Sequence, residues 1–512
     1  MLHCAIEILR ATKFRRLALL FCALTLPGCA SIAKGVTQAI LDTDDKVEDR
    51  LCRVDGEGFK GLGDTIADTT TSDNIQTMRM LIVHGIGPHA ENYSEPFVRT
   101  IASGLGLKKR NVEQKRIRLG RARCDSLGCG AYGGDQLGWL NITRYYNTAE
   151  TRELLAFEVL WSGYNEGARK KILDFDKDTA RLRASVNNTV KTFFNQQVID
   201  PVKYLGDNAT DVRGHVRQAS CWMLSGDWDD YPDSQSIDSS DFEACPLIDT
   251  VKARLEPAQV RAADIAANDS FVAVTHSLGS RIFLDAFSIQ DDEKPGEINP
   301  FTNIGGYLNT RDVTLIMLAN QLPLLQEGLQ EDFFSFAGVP WRNKKRYSGE
   351  YKQVVDKTGN QRFGFAEYKT QEALCSDPDL RLSQRRFGKM SLVSVSDPND
   401  LLSYRLLVGD FVEDYVDWAL CPSVTEVLIS VTPPRSLFGL DFADPSAAHG
   451  NYWTDGGLSQ LLIQGFNKDS AELEFATDKR GAPLDLDDEN AKIRYKCEET
   501  LYEKKRSKGS KS

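Results

Sequence analysis

The sequence predicts an α/β fold: a mostly parallel sheet covered by helices on both faces. Two observations carry that expectation. First, six largely apolar runs, Met80–Val83, Leu154–Trp161, Phe271–Val274, Val313–Leu318, Met390–Ser396 and Glu426–Val431, are separated by long helical or loop-rich segments. Short apolar runs suit strands buried on both faces, and long connections suit parallel crossovers. Second, Phe271-Val-Ala-Val-Thr-His-Ser-Leu-Gly-Ser-Arg-Ile-Phe-Leu-Asp-Ala-Phe287 reads as a strand, a sharp turn at Ser277 and a helix. Val272 and Val274 supply β-branched bulk, and Leu278, Ile282, Phe283, Ala286 and Phe287 recur at helical spacing.

Taken in order, the chain opens with an address. Arg10, Lys13, Arg15 and Arg16 precede the apolar run Leu17–Leu26, then Pro27-Gly28-Cys29. Basic, apolar, then small residues is the order of a secretory signal peptide. Leu26-Pro-Gly-Cys29 resembles the lipobox of bacterial lipoproteins, which implies a signal over 1–29 ending at a lipidated Cys29. Simple cleavage and release, or a plain anchor, is the alternative. Ala30 and Ser31 carry no acidic retention signal, so attachment to the outer membrane, facing the periplasm, is the expectation. No apolar run is long enough to span a bilayer. Residues 30–78, with their Thr-Asp-Asp, Gly-Glu-Gly and Asp-Thr-Thr-Thr-Ser-Asp runs, read as a tether.

The folded body is expected over 79–495. Met80–Val83 reads as a strand, followed by His84-Gly-Ile-Gly87, where two glycines let the backbone approach a neighbour closely, and by a helix at Glu95–Leu105. Leu154–Trp161 is the next core strand. The long gap before Ser277 implies a large insertion at about 162–260. Within it, Leu182, Val186, Val190, Phe193, Phe194, Val198 and Val202 repeat at three and four, predicting an amphipathic helix that Pro201 begins to end. Gly226–Asp233 lacks the spacing of a calcium loop and reads as a solvated loop between Cys221 and Cys245. After the serine turn, Val313–Leu318 continues the sheet and 341–386 reads as a polar surface excursion. Met390–Ser396 then breaks into Asp397-Pro-Asn-Asp400, and Glu426–Val431 is the last clear strand before Ala447-Ala-His449. Residues 496–512 read as a basic tail.

Composition narrows the class. The chain has 512 residues, 41% hydrophobic and 26% charged, enough for a large soluble core. Its net charge of −11 argues against a nucleic-acid partner. Beyond the signal lie Cys52, Cys124, Cys129, Cys221, Cys245, Cys375, Cys421 and Cys497. An even number in an exported chain suggests disulfides, with Cys124–Cys129 and Cys221–Cys245 the sequence-local pairs. Zinc is the rival reading, but C-x-x-C pairs are lacking, and no metal or cofactor is expected.

A serine at a strand-to-helix turn has its hydroxyl pushed above the sheet edge, beside the positive end of the helix dipole. Gly279 fits a helix that must pass close to the strand; Thr275 departs from G-x-S-x-G at the first position. Such a serine needs a base, and the base needs an orienting acid. Of the six histidines, His3, His84, His89, His215, His276 and His449, His3 lies in the signal, His84 in the glycine turn and His215 in the insertion, and His276 is placed to face away from the hydroxyl of its neighbour. His449 alone follows the last core strand, and Asp400 follows the strand before it. The order Ser277, Asp400, His449 is that of hydrolases.

Val83-His-Gly-Ile-Gly87, Thr275-His-Ser-Leu-Gly279, Asp400-Leu-Leu-Ser-Tyr404 and His449 together resemble the oxyanion, nucleophile, acid and base stations of α/β-hydrolase lipases and esterases. Asp397 rivals Asp400 as the acid. Leu401-Leu402 matches the family's apolar follow-on to the acid, whereas Asp397-Pro398 reads as turn chemistry. The resemblance implies an α/β-hydrolase sheet, a Ser277–His449–Asp400 triad, and an oxyanion hole made by the N–H groups of Ile86 and Leu278. His84, Gly85, Gly87, His276 and Gly279 would be its support. It also implies a carboxylic ester substrate, and lipidation at Cys29 would make that ester a lipid or phospholipid beside the membrane. A non-catalytic envelope scaffold and an acyltransferase with the same triad are the alternatives; protein partners cannot be read.

Overall fold

A computed structural model describes residues 48–499. Excepted are 68–74, 110–113, 126–127, much of 185–198, 206–208, 234–244, 249–251, 289–305, most of 327–386, 407–419 and a few shorter stretches. The signal segment with Cys29, the expected tether up to residue 47 and most of the 341–386 excursion lie outside the described residues.

One sheet dominates. Its strands are β1 (Glu48–Gly56), β2 (Gln76–Val83), β3 (Gln114–Asp125), β4 (Gly128–Tyr146), β5 (Arg152–Leu160), β6 (Ser270–His276), β7 (Asp312–Leu318), β8 (Lys389–Ser396), β9 (Pro422–Ile429), β10 (Glu472–Thr477), β11 (Pro483–Leu484) and β12 (Ile493–Glu499). Their order is β11-β10-β12-β1-β9-β8-β7-β6-β2-β5-β4-β3. The central run from β9 to β5 is parallel throughout. Antiparallel partners flank it, β4 on one side and β1 on the other. The expectation of a mostly parallel α/β sheet therefore holds.

Period-two alternation sends the side chains of each central strand to two cores. Leu81 and Val83 join one core, and Met80 and Ile82 the other. Phe271 and Ala273 divide from Val272 and Val274 in the same way. Helices α5 (Ala209–Ser225), α6 (Lys252–Asn268) and α7 (Leu278–Ser288) cover the first face. Helices α1 (Leu62–Ala67), α2 (Glu95–Gly104) and α9 (Gly456–Gln464) cover the second. Each fully buried Leu, Val or Phe contributes roughly 1.5–3 kcal/mol. The connection from β5 to β6 also carries α3 (Glu166–Ala180) and α4 (Ile199–Tyr204), and α8 (Pro445–Gly450) precedes α9.

Several sequence expectations need correction. The tether does not extend to residue 78: β1 lies between β9 and β12, α1 buries Leu62 and Ile66, and β2 starts at Gln76. Nor does the body end at 495. Cys497 lies in β12 and is bonded to Cys52 across a sequence separation of 445, so chain closure places two remote segments side by side. The Cys221–Cys245 pair does form, while the side chains of Cys124 and Cys129 lie outside the described ones. Leu182 stands in a turn, whereas Asn187, Asn188, Lys191 and Asn195 of the expected helix are helical, and Pro201 lies inside the first turn of α4 rather than ending a helix. Proline's missing N–H has no intrahelical partner to lose there. The last core strand ends at Ile429, before Val431. The acidic loop after Cys221 is not wholly solvated. Asp227 Oδ1 and the Gly226 carbonyl accept from the buried Arg79 guanidinium at 2.9 and 2.8 Å.

Candidate active site

The serine turn sits at the carboxyl end of β6, between β2 and β7. Ser277 has φ +56°, a left-handed conformation that costs a side-chain-bearing residue on the order of 1–3 kcal/mol. Its N–H donates to the Leu318 carbonyl at 2.9 Å, which secures the turn against β7, and α7 begins at the next residue. Gly279 is required by close approach: a Cβ there would lie 2.7 Å from the His84 carbonyl oxygen. Thr275 is accommodated at the variant first position. Its Oγ1 lies 3.0 Å from Ser280 Oγ and donates to the Ile316 carbonyl at 3.3 Å, so the buried hydroxyl is satisfied.

The loop after β2 lies directly against the serine. A Cβ on Gly85 would fall 2.5 Å from Ser277 Cβ and 3.0 Å from its Oγ, so any larger residue would displace one of them. His84 clips the loop to the end of β5: its Nδ1–H donates to the Gly85 carbonyl at 2.8 Å, and its Nε2 accepts from the Trp161 N–H at 3.2 Å. The Trp161 indole returns a bond to the His84 carbonyl at 3.0 Å and stacks on the imidazole. Gly87 N–H donates to Asp200 Oδ2 at 2.6 Å. Among the described residues no acceptor takes up the Ile86 N–H, and Leu278, first in α7, has no intrahelical acceptor for its own. Both sequence-predicted donors thus belong to the two turns that meet at Ser277.

His449 and Asp400 come together from α8 and the loop after β8. His449 Nδ1 lies 3.0 Å from each Asp400 oxygen, and the carboxylate is fully buried. Asp400 Oδ1 also accepts from the Leu402 N–H at 3.0 Å, and Oδ2 accepts from the Tyr452 hydroxyl at 3.2 Å. The rival Asp397 faces elsewhere. Its oxygens accept from the N–H groups of Asn399 and Thr432, both at 2.7 Å, bracing the loop that carries Asp400. His276 Nε2 donates to the His449 carbonyl at 2.7 Å, tying α8 to the end of β6 beside the serine turn.

Electrostatics separates the histidines. Burial, reinforced by neighbouring imidazoles, holds both His84 and His276 well below the usual histidine range, so both are neutral. Burial pushes His89 down to about 4, and its Nε2–H donates to the Ile86 carbonyl at 3.2 Å. Among the described residues, Ser277 Oγ and His449 Nε2 each lack a hydrogen-bond partner.

The serine of a strand-to-helix turn, a glycine loop pressed on it, and an imidazole bonded to a carboxylate and tied through its own carbonyl to the residue before the serine are thus brought together. Sequence reasoning missed Tyr452, Trp161, His89 and Asp200. Tyr452 and Trp161 left a weak signal, an aromatic next to a predicted station, whereas Asp200 belongs to no local pattern. No protein-family model, curated protein or solved structure matches the chain, so the reading of the site rests on its geometry.

Proposed function

We propose that this chain is a serine hydrolase of carboxylic esters, built on an α/β-hydrolase sheet, with Ser277 as nucleophile, His449 as base and Asp400 as orienting acid. The observation that carries the reading is the two-oxygen contact of Asp400 with His449 Nδ1 beside a serine held at φ +56°. The bond at Nδ1 leaves Nε2 as the imidazole atom able to take a proton. Nε2 removes the Ser277 proton as Oγ attacks the ester carbonyl. The N–H groups of Ile86 and Leu278 bind the oxyanion, each donor being worth about 3 kcal/mol in such sites. Collapse expels the alcohol, which takes its proton from His449, and water then releases the acid through the same base. The Leu26–Cys29 segment supports a substrate at the cell envelope, a lipid or phospholipid ester within reach of an anchored enzyme.

One observation favours a second reading, a scaffold that has lost turnover: Ser277 is fully buried and its Oγ makes no bond to His449 Nε2 among the described residues. Turnover of p-nitrophenyl esters of graded chain length separates the two. The hydrolase reading expects activity that vanishes in Ser277→Ala and His449→Ala; equal background in all three would refute it. Adding an alcohol acceptor and analysing products distinguishes hydrolysis from acyl transfer.

A further inference from the structure

The loop bearing Ile86 is gripped from outside the sheet. Asp200 in α4 is fully buried, and its Oδ2 accepts the Gly87 N–H at 2.6 Å although 113 residues separate them. Its Oδ1 accepts from Asn165 Nδ2 at 2.9 Å, and Arg169 Nη1 reaches both oxygens at 3.1–3.2 Å. Arg169 Nη2 donates to the Ser162 carbonyl, and Ser162 Oγ accepts from the His89 N–H at 3.3 Å. Asp200 thus holds Gly87 directly, and Ser162 holds His89. The peptide unit joining Ile86 to Gly87 is fixed at both ends, its N–H by Asp200 and its carbonyl by His89 Nε2. With that plane fixed and Gly85 pressed on Ser277, the Ile86 N–H has little freedom to turn away.

Chain packing alone does not call for a carboxylate here. A buried ion pair costs desolvation that apolar packing avoids, and well-packed apolar replacements are often as stable. What the carboxylate adds is a short, charge-assisted bond that aims one peptide unit. We infer that Asp200, charged and oriented by Arg169 and Asn165, is a positioning residue for the Ile86 oxyanion donor, an inference that rests on the serine-hydrolase reading. The device makes the insertion between β5 and β6 part of the site, with no contact to the reacting atoms.

The test uses the full chain and the variants Asp200→Asn and, as a milder change, Asn165→Leu. Fluorophosphonate titration counts competent serines, and kcat per labelled site and KM are measured on p-nitrophenyl butyrate. The Ki of an alkyl boronic acid, which places a tetrahedral oxygen in the oxyanion hole, completes the set. Asp200→Asn is expected to label fully yet lose about ten- to hundred-fold in kcat, with KM within about twofold and the boronate weakened in parallel. Asn165→Leu is expected to lose about three- to tenfold. Hydrogen exchange across residues 84–89 is expected to quicken in both variants while β6 and α7 stay protected. Turnover per labelled site within about twofold of wild type in both variants overturns the inference, as does unchanged exchange in the loop. A wild type that takes no label fails the serine reading itself and removes the positioning role with it, so the two failures are distinguishable.

Discussion

His449 Nδ1 rests 3.0 Å from both oxygens of Asp400, a residue 49 positions earlier, while the backbone carbonyl of the same histidine accepts a bond from His276 beside the serine. One residue is therefore fixed at its ring by the loop after β8 and at its backbone by the last residue of β6. The two aspartates of the loop differ in their partners: Asp400 meets the imidazole, whereas Asp397 accepts from the N–H groups of Asn399 and Thr432.

Asp397 and Asp400 are expected to fail differently. Asp400→Asn keeps the shape of the loop but loses the charge facing the imidazole, and kcat should fall by about 10³–10⁴. Asp397→Ala strips acceptors from the N–H groups of Asn399 and Thr432 and should cost about 2–4 kcal/mol of stability. Urea melts alongside ester turnover per folded molecule check the pair; a larger kcat loss in Asp397→Ala would reverse the assignment.

Tyr452 links the two carboxylate stations, because its hydroxyl accepts from the Asp397 N–H at 2.7 Å and donates to Asp400 Oδ2. Burial raises this phenol well above its ordinary value, so it stays a neutral donor. Tyr452→Phe should fold, lose about 1–2 kcal/mol and turn over about tenfold more slowly, in line with one hydrogen bond to a charged group. Steady-state kinetics and a thermal melt on one preparation measure both effects.

How much of this was legible in the sequence depends on chain distance. The serine turn could be read because strand, turn and helix are contiguous from Phe271 to Phe287, and the core strands because each is a single apolar run. In the sequence the apolar follow-on Leu401-Leu402 marks Asp400 out from Asp397, and the geometry separates them by hydrogen-bond partners that no local pattern reveals. The β3–β4 hairpin carries only a faint sequence signal, the alternating Arg116-Ile-Arg-Leu119, whose Ile117 and Leu119 are buried. The placement of β1, the Cys52–Cys497 bond and the Asp200 contact join segments far apart in sequence, and composition near residue 50 says only that the stretch is polar.

The Cys52–Cys497 bond should matter for stability rather than chemistry. It closes nearly the whole described chain and ties β1 to β12, away from the serine turn in the order of the sheet. Cys52→Ser with Cys497→Ser is expected to cost about 3–5 kcal/mol, with kcat per folded molecule unchanged within about twofold. Denaturant unfolding of the oxidised wild type against the double variant provides the number.

Acid should destabilise the fold through its buried neutral histidines. For His84 the folded-state pKa lies well below the unfolded value of about 6.5, because of burial and the neighbouring His89. Below about pH 6.5 the unfolded chain therefore binds a proton that the folded chain does not, and stability is lost as pH falls. His84→Gln cannot take up that proton. Between about pH 6 and pH 5 the wild type should lose roughly 1 kcal/mol more than the variant, measurable by urea melts across the range. Parallel slopes would show that His84 is charged in the folded protein.

The central claim is an activated Ser277, and fluorophosphonate labelling of the folded, oxidised protein tests it most directly, read by intact mass and peptide mapping. The hydrolase account predicts a single adduct on Ser277, lost in His449→Ala and strongly slowed in Asp400→Asn. No adduct on Ser277, or one formed equally well without His449, would contradict it.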